Sequence, residues 1–331
     1  MVRNEAAIIA DSVGHLLNNI GVDRLYVADN GSTDRTYALL RSMAGHDPRL
    51  TVRSIPGPFH QPTIMRWMTE KAVEDGADWL LPNDADEFFW PDGATLREIC
   101  ASAKGVAGFL LDVYNFVQLD WIARDRPGSL ETMLFSAKPH GAPHEGPARV
   151  LGGLPFVRAC YMPKLLLRAT PDIYLQRGAH TATGLAGPLV AAPAGQLLHA
   201  PMRARDDLAS RIEHALRVME VADDPATSWH LKRLVGMDSD ALDAEWYANS
   251  TQLCWPAPEG FRLDLRLRTL ARGLRSYRSS AWEKTGQTAG ATPPPSSDPR
   301  PAPSVRPCRG VSVGHWRAPA CGISPVRARR W

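Results

Sequence analysis

Apolar positions Ile9, Val13, Leu16, Leu17 and Ile20 recur at helical spacing, which predicts an amphipathic helix over 5–19 closed by Gly21. The short apolar run 24–28 then predicts a strand ending in the polar turn Asp29-Asn30-Gly31-Ser32-Thr33-Asp34. Ser32 or Thr33 can cap a following helix through about Met43. The alternation continues as strand 50–55, helix 63–74, strand 79–81, helix 95–103 and strand 106–114. Strands separated by helices of this length predict an α/β fold with a mainly parallel sheet flanked by helices. Functional residues are then expected at the carboxyl ends of strands, where Asp29, Asp84 and Asp86 stand.

The second half is less regular. Strands are expected at 164–168 and 196–199, and a helix at 206–221 with Leu208, Ile212, Ala215, Leu216 and Met219 inward. Shorter helices follow at 229–235 and 240–248. Over 261–278 six arginines interleave with leucines. Leu263, Leu267, Leu270 and Leu274 fit a helix, while Leu263, Leu265 and Leu267 fit a strand; the helix is the reading adopted. Such a helix either packs on the acidic body or lies on a membrane surface.

Composition changes this picture mainly at the carboxyl end. The 331 residues carry a formal charge of +3, but 1–260 hold 24 Lys+Arg against 32 Asp+Glu, a net of −8. Residues 261–331 hold 14 against 3, a net of +11. From Thr285 onward Pro, Ser, Gly and Ala dominate, with seven Arg and Asp298 as the one acid, so 285–331 is read as a disordered tail. A basic arm for nucleic acid or anionic lipid is the alternative for that tail. The acidic body gives no reason to expect a nucleic-acid partner. The five cysteines (Cys100, Cys160, Cys254, Cys308, Cys321) include no Cys-x-x-Cys pair, which argues against a zinc site or disulfide scaffold. Without an apolar leader or spanning run, a cytoplasmic setting is expected, with the inner face of the membrane as the site of any peripheral contact through 261–278.

Three motifs carry candidate chemistry. Asp84-Ala85-Asp86 follows an apolar strand, and two carboxylates one residue apart on a turn can share a hard divalent cation. The apolar Phe88-Phe89-Trp90 beside them makes unengaged acids costly. Asp29-Asn30-Gly31-Ser32 offers a carboxylate and free backbone N–H groups suited to a nucleoside or phosphate. Arg3-Asn4-Glu5 opens the first helix.

In this order the three motifs resemble the family 2 glycosyltransferases, in particular bacterial members with an extended Asp-Ala-Asp-Glu-Phe motif. The resemblance is firm over about 1–115 and looser through Gly178-Ala179-His180 and Leu197-Leu198-His199 to Leu216. It implies a GT-A-like domain over 1–225, a helical extension over 226–284 and the tail 285–331. It also implies a hexosyltransferase-type enzyme that moves a sugar from a nucleotide-sugar donor to a glycan, lipid or other hydroxyl acceptor, with inversion. On that basis Arg3, Asn4, Glu5, Asp29, Asn30, Gly31, Arg66 and Asp84 would bind the donor, with His60 and Gln61 near it. Asp86, with Asp84, would hold Mn²⁺ or Mg²⁺, and His180 or His199 would complete the shell. The acids Asp112, Asp120, Asp125, Glu145 and Asp172 leave the general base unassigned, with Trp121 between Asp120 and Asp125 as a sugar platform.

The chain departs from the family pattern twice. Only Met1-Val2 precedes Arg3, where the family places a complete apolar strand, which implies a late start or truncated gene and uncovered strand edges. Arg35 occupies a position usually held by Gly. The alternatives to an active glycosyltransferase are a non-catalytic or truncated binding protein and a nucleotidyltransferase. The last would be expected to show a Gly-rich basic phosphate loop, which Arg3-Asn4-Glu5 does not supply.

Overall fold

A computed structural model describes residues 1–122, 129–142, 145, 148, 150, 153–221 and 229–274. Asp125, the tail 285–331 with Cys308 and Cys321, and the end of the Arg/Leu segment lie outside the described residues.

The first predicted helix forms as α1 (Ile9–Gly14), which continues as a π-helical turn over His15–Ile20. It stops at Gly21, whose φ of +73° is a left-handed conformation that glycine adopts without a Cβ penalty. His15 is buried, and its Nε2–H donates to Phe89 O at 2.7 Å. Burial pushes its imidazole down to about 4, against the partial offset of that hydrogen bond. Since this folded value lies below the ordinary 6.5, the unfolded chain takes up the proton first as pH falls. Stability is therefore complete above about pH 6.5 and is lost between there and about pH 4, by up to about 3 kcal/mol from this residue. Thermal melts across that range are expected to be flatter for His15→Gln; an unchanged pH slope would contradict this.

The remaining strands and helices alternate largely as the periodicity predicts. In chain order they are β1 (Leu25–Asp29), α2 (Thr36–His46), β2 (Leu50–Ser54), α3 (Gln61–Glu74), β3 (Trp79–Leu80), β4 (Glu87–Trp90) and α4 (Leu96–Ala101). There follow β5 (Gly108–Leu111), β6 (Val113–Val117), β7 (Phe135–Ala137), β8 (Lys164–Arg168), β9 (Tyr174–Leu175), β10 (Ala182–Thr183), β11 (Leu189–Ala191) and β12 (Gln196–His199). The chain closes with α5 (Asp207–Val221), α6 (Trp229–Lys232), α7 (Ser239–Ala248), β13 (Phe261–Leu263) and α8 (Arg266–Gly273). Thr95 and Glu98 form a reciprocal capping box at α4. At α2 neither Ser32 nor Thr33 is the cap. Asp34 Oδ1 accepts from Thr36 N at 2.9 Å, because Ser32 is drawn to Asp29 and Asn4.

The fold is mixed α/β with helix-flanked sheets, but its strand pairing is mixed rather than mainly parallel. β1–β2, β5–β11 and β6–β12 are parallel. The other described ladders are antiparallel, in sheets ordered β11-β5-β8-β3 and β13-β7-β6-β12-β4, with a small β9–β10 pair. The difference arises where β8 inserts between β5 and β3, and β12 between β6 and β4, a return of the chain that local periodicity does not encode.

At the amino end Val2 makes a single parallel bridge to Asp29, with Val2 N donating to Ala28 O (2.8 Å) and Val2 O accepting from Asn30 N (2.9 Å). Beyond it a cavity of about 750 Å³ separates β1 from β3, lined by residues including Val13, Leu16, Tyr26, Met65 and Leu80.

Two expectations from the apolar pattern are corrected. In the Arg/Leu segment, 261–263 is a strand that pairs antiparallel with β7, and only 266–273 is helical. Leu267, Leu270 and Leu274 are buried in the same core as Ile9, Val13 and Phe88, so this apolar face packs on the body and is not offered to a membrane. In α5, Leu216 and Met219 are 46% and 48% exposed. The inward positions are Leu208, Ala215 and Val218, because the adjoining face of the helix is taken by ionic contacts described below. Among the described residues Cys100 and Cys160 are free thiols, whereas Cys254 is disulfide-bonded. No helix among the described residues is long and apolar enough to cross a membrane.

Candidate active site

The Asp84–Asp86 turn links β3 to β4 and is closed by its own hydrogen bonds. Asn83 Nδ2 donates to Asp84 O (2.6 Å) and Glu87 O (2.9 Å), and Asp84 N donates to Glu87 Oε2 (3.2 Å). The two carboxylates of this turn have different partners. Asp84 Oδ2 meets Lys164 Nζ at 2.6 Å, and Lys164 also meets the buried Glu87 at 3.1 Å. Asp86 Oδ2 instead meets His199 Nε2 at 3.4 Å and Arg211 Nη2 at 3.3 Å. Each aspartate thus faces a different cation in this arrangement. Lys164, at the first position of β8, claims one of them.

The electrostatics follow from these partners. Burial raises the cost of ionising Asp86, but His199, Arg211 and Arg203 outweigh it and hold the carboxyl well below its usual range. Asp84, whose side chain is 46% exposed, is also held below its usual range, because Lys164 outweighs the cost of its partial desolvation. Burial dominates at Glu87, whose carboxyl is pushed up despite Lys164. Lys164 itself is held charged: burial disfavours the ammonium, and the two carboxylates more than restore it.

The predicted donor loops gather beside this turn. Asp29 is buried at the end of β1, and its carboxylate accepts from Gly31 N (3.1 Å), Ser32 N (3.0 Å) and the Ser32 hydroxyl. It organises its own loop in this structure. Arg3 Nη1 donates to Asn30 O at 3.0 Å and also to Gly31 O. Gly31 has φ +75°, and a Cβ there would stand 3.3 Å from Arg3 Nη1. Asn4, at φ +54°, accepts from Thr33 N at 2.8 Å. Glu5 meets Arg203 at 3.2 Å, and burial pushes its carboxyl up to about 7 against the pull of Arg203, with Asp86 adding to the rise.

The family model described as Glycosyl transferase family 2 matches residues 1–149, which contain all three motifs. This amino-terminal part of the chain belongs to glycosyl transferase family 2. No curated protein sequence matches significantly. Among solved structures the chain is similar to S. aureus TarS (14% identity, TM-score 0.36, 85% of this chain and 52% of that one). It is also similar to mannosyltransferase PcManGT from Pyrobaculum calidifontis in complex with GDP-Man and Mn²⁺ (15%, 0.31, 88% and 74%). A third is S. aureus TarS 1–349 in complex with UDP (14%, 0.36, 87% and 91%). The chain spans about half the length of the longer TarS chain. At such scores the likeness establishes neither fold nor ligand.

Within the family 2 segment and its surroundings, the remaining candidates sort by position. His199 touches Asp86, whereas His180 turns Nδ1 to Pro163 O at 3.1 Å, with its ring against the Gly178 backbone. Arg66 is bound to Glu70 at 2.7 Å on the exposed side of α3, and His60 is exposed. Gln61 accepts from Gly178 N at 3.1 Å. Asp112 and Asp172 are exposed, Glu145 accepts from Ala142 N at 2.9 Å, and Asp120 accepts at its backbone from Trp246 Nε1 at 3.2 Å. Trp121 is 48% exposed. Lys164, Arg203 and Arg211 were not among the sequence candidates. Nothing in their local context distinguishes them from ordinary strand, loop and helix cations.

Whether the site suits a divalent metal turns on which ring nitrogen of His199 faces Asp86. Asn115 Nδ2 donates to Val157 O (2.9 Å), so its Oδ1 faces His199 Nδ1 at 2.8 Å. An amide oxygen requires the hydrogen on Nδ1, so Nε2 is the ring nitrogen that meets Asp86, as a donor when the ring is charged and as a lone pair when it is neutral. A neutral imidazole and the carboxylate, 3.4 Å apart, can both ligate one cation, whereas a charged ring pairs with Asp86 directly. Among the described residues no group of three or more His, Cys, Asp or Glu side chains converges to hold a metal. Asp86 and His199 therefore fit a metal site that takes its other ligands from substrate oxygens and water.

Proposed function

We propose that the protein is a metal-dependent glycosyltransferase that moves a sugar from a nucleotide-sugar donor to an acceptor hydroxyl with inversion. The observation carrying this reading is that helix α5 connects the Asp86–His199 pair to the Arg3–Gly31 loops. α5 joins the two through Glu213 on Arg3 (2.8 Å) and Arg217 on Asn30 (2.9 Å). In such a transfer the bond from the anomeric carbon to the diphosphate breaks as the acceptor oxygen attacks, and the electron pair departs with the diphosphate. Positive groups facing that leaving group stabilise the charge it gains. Asp86 and His199 would hold Mn²⁺ or Mg²⁺, which when bound supplies Lewis-acid neutralisation of the diphosphate. Arg3, Asn4, Glu5, Asp29, Asn30 and Gly31 would shape the nucleoside side of the pocket, with Asp84 fixed at its floor by Lys164. A base must take the acceptor proton, and no residue is assigned to it. The acceptor is a glycan, lipid or other hydroxyl compound.

UDP or GDP with Mn²⁺ is expected to raise the thermal midpoint by several degrees. Ligand at about a hundred times its Kd adds about 2.7 kcal/mol to stability. EDTA is expected to cancel the shift, and donor screens with UDP-, GDP- and dTDP-sugars should then show metal-dependent hydrolysis. If no nucleoside diphosphate stabilises the protein, the reading fails.

A further inference from the structure

On that reading, one cation at Asp86 stands where another would be needed. Arg211 Nη2 lies 3.3 Å from Asp86 Oδ2, the same oxygen that His199 Nε2 approaches at 3.4 Å. The guanidinium also donates to Pro201 O, while its buried Nε has no hydrogen-bond partner. One face of α5 carries Arg211, His214 and Arg217 at intervals of three residues, so the two arginines stand about 9 Å apart along the helix axis. Arg217 reaches the carbonyls of Asn30 (3.3 Å) and Gly57. His214, packed edge-on against Phe59, is pushed down to about 4 by burial and then by Arg211, so it adds no charge at neutral pH. The two guanidinium groups thus bracket the space between Asp86 and the loop after β1. A planar fork with an unused donor suits the oxygens of a diphosphate.

We propose that Arg211 is a diphosphate-binding residue held in reserve on Asp86, and that it occupies the metal's place until a nucleoside diphosphate draws it away. A guanidinium on Asp86 opposes a divalent ion there, since both are positive in a site of low dielectric. Metal alone should therefore bind weakly, and metal and diphosphate should each strengthen the other's binding. The test measures Mn²⁺ binding without nucleotide, by the electron paramagnetic resonance of free Mn²⁺, and UDP and GDP binding in saturating Mn²⁺, by calorimetry. Arg211→Met is expected to tighten Mn²⁺ alone by about tenfold and to weaken the diphosphate by about tenfold or more, the scale of one charge-assisted hydrogen bond. Arg211→Gln, which can still donate to Pro201 O, is expected to shift both affinities the same way and serves if the Met variant does not fold. Variants that match the wild type, or that lose both affinities together, overturn the proposal while leaving the glycosyltransferase reading in place. A wild type that binds neither diphosphate with Mn²⁺ overturns both.

Discussion

Asp86→Asn is expected to lower donor turnover by about 100- to 1000-fold, the scale of losing one preorganised electrostatic contact to a developing charge. The substitution preserves shape but removes the charge that faces His199 and Arg211. Its effect should therefore be far larger on metal-dependent nucleotide binding than on folding. Asp84→Asn, by contrast, should act mainly by loosening Lys164, which retains Glu87 as a partner at 3.1 Å. Initial rates of sugar-nucleotide hydrolysis and circular dichroism on the two variants separate these effects. Unchanged turnover in Asp86→Asn would remove Asp86 from the chemistry.

Lys164→Met is expected to destabilise the protein by about 3–5 kcal/mol at neutral pH, because removing one partner of a buried pair leaves a buried charge uncompensated. Glu87 is 3% exposed and has no route to solvent comparable to that of Asp84. Its carboxyl is already pushed up by burial with Lys164 in place, and without the ammonium it must rise further. A folded-state value above the unfolded one means that the unfolded chain releases the proton more readily. The variant's deficit should therefore grow as pH rises through the unfolded value and shrink toward acid pH. Urea denaturation at pH 5 and pH 8 reads the difference, and Glu87→Gln in the same background should recover part of the loss. A deficit below about 1 kcal/mol at pH 8 would mean that the ion pair is solvated in practice.

Much of the fold was legible in sequence because α1, β1, α2, β2 and α3 are set by local period and by their stop signals. The site was legible only in part. The run around Asp84–Asp86 and the Asp29–Ser32 turn stand out because short polar clusters end apolar strands. The partners that decide what those acids can do lie far along the chain: Lys164 is 80 residues from Asp84, and Arg211 is 125 from Asp86. Local pattern carries no record of such pairings, since charged residues on a strand or helix look alike until the opposing element is in place.

Local pattern sufficed for the α/β class, the places where carboxylates end strands, and the split between an acidic body and a basic carboxyl end. The packing of distant segments set Asp84 and Asp86 against different cations and brought His199 rather than His180 to Asp86. It also decided that α5 leaves Leu216 and Met219 in water while Leu267, Leu270 and Leu274 of the Arg/Leu segment are buried. The physical reason is common to all of these. Period and turn chemistry act over a few residues, whereas the orientation of a face, the partner of a charge and the order of strands are set by which distant surfaces exclude water together.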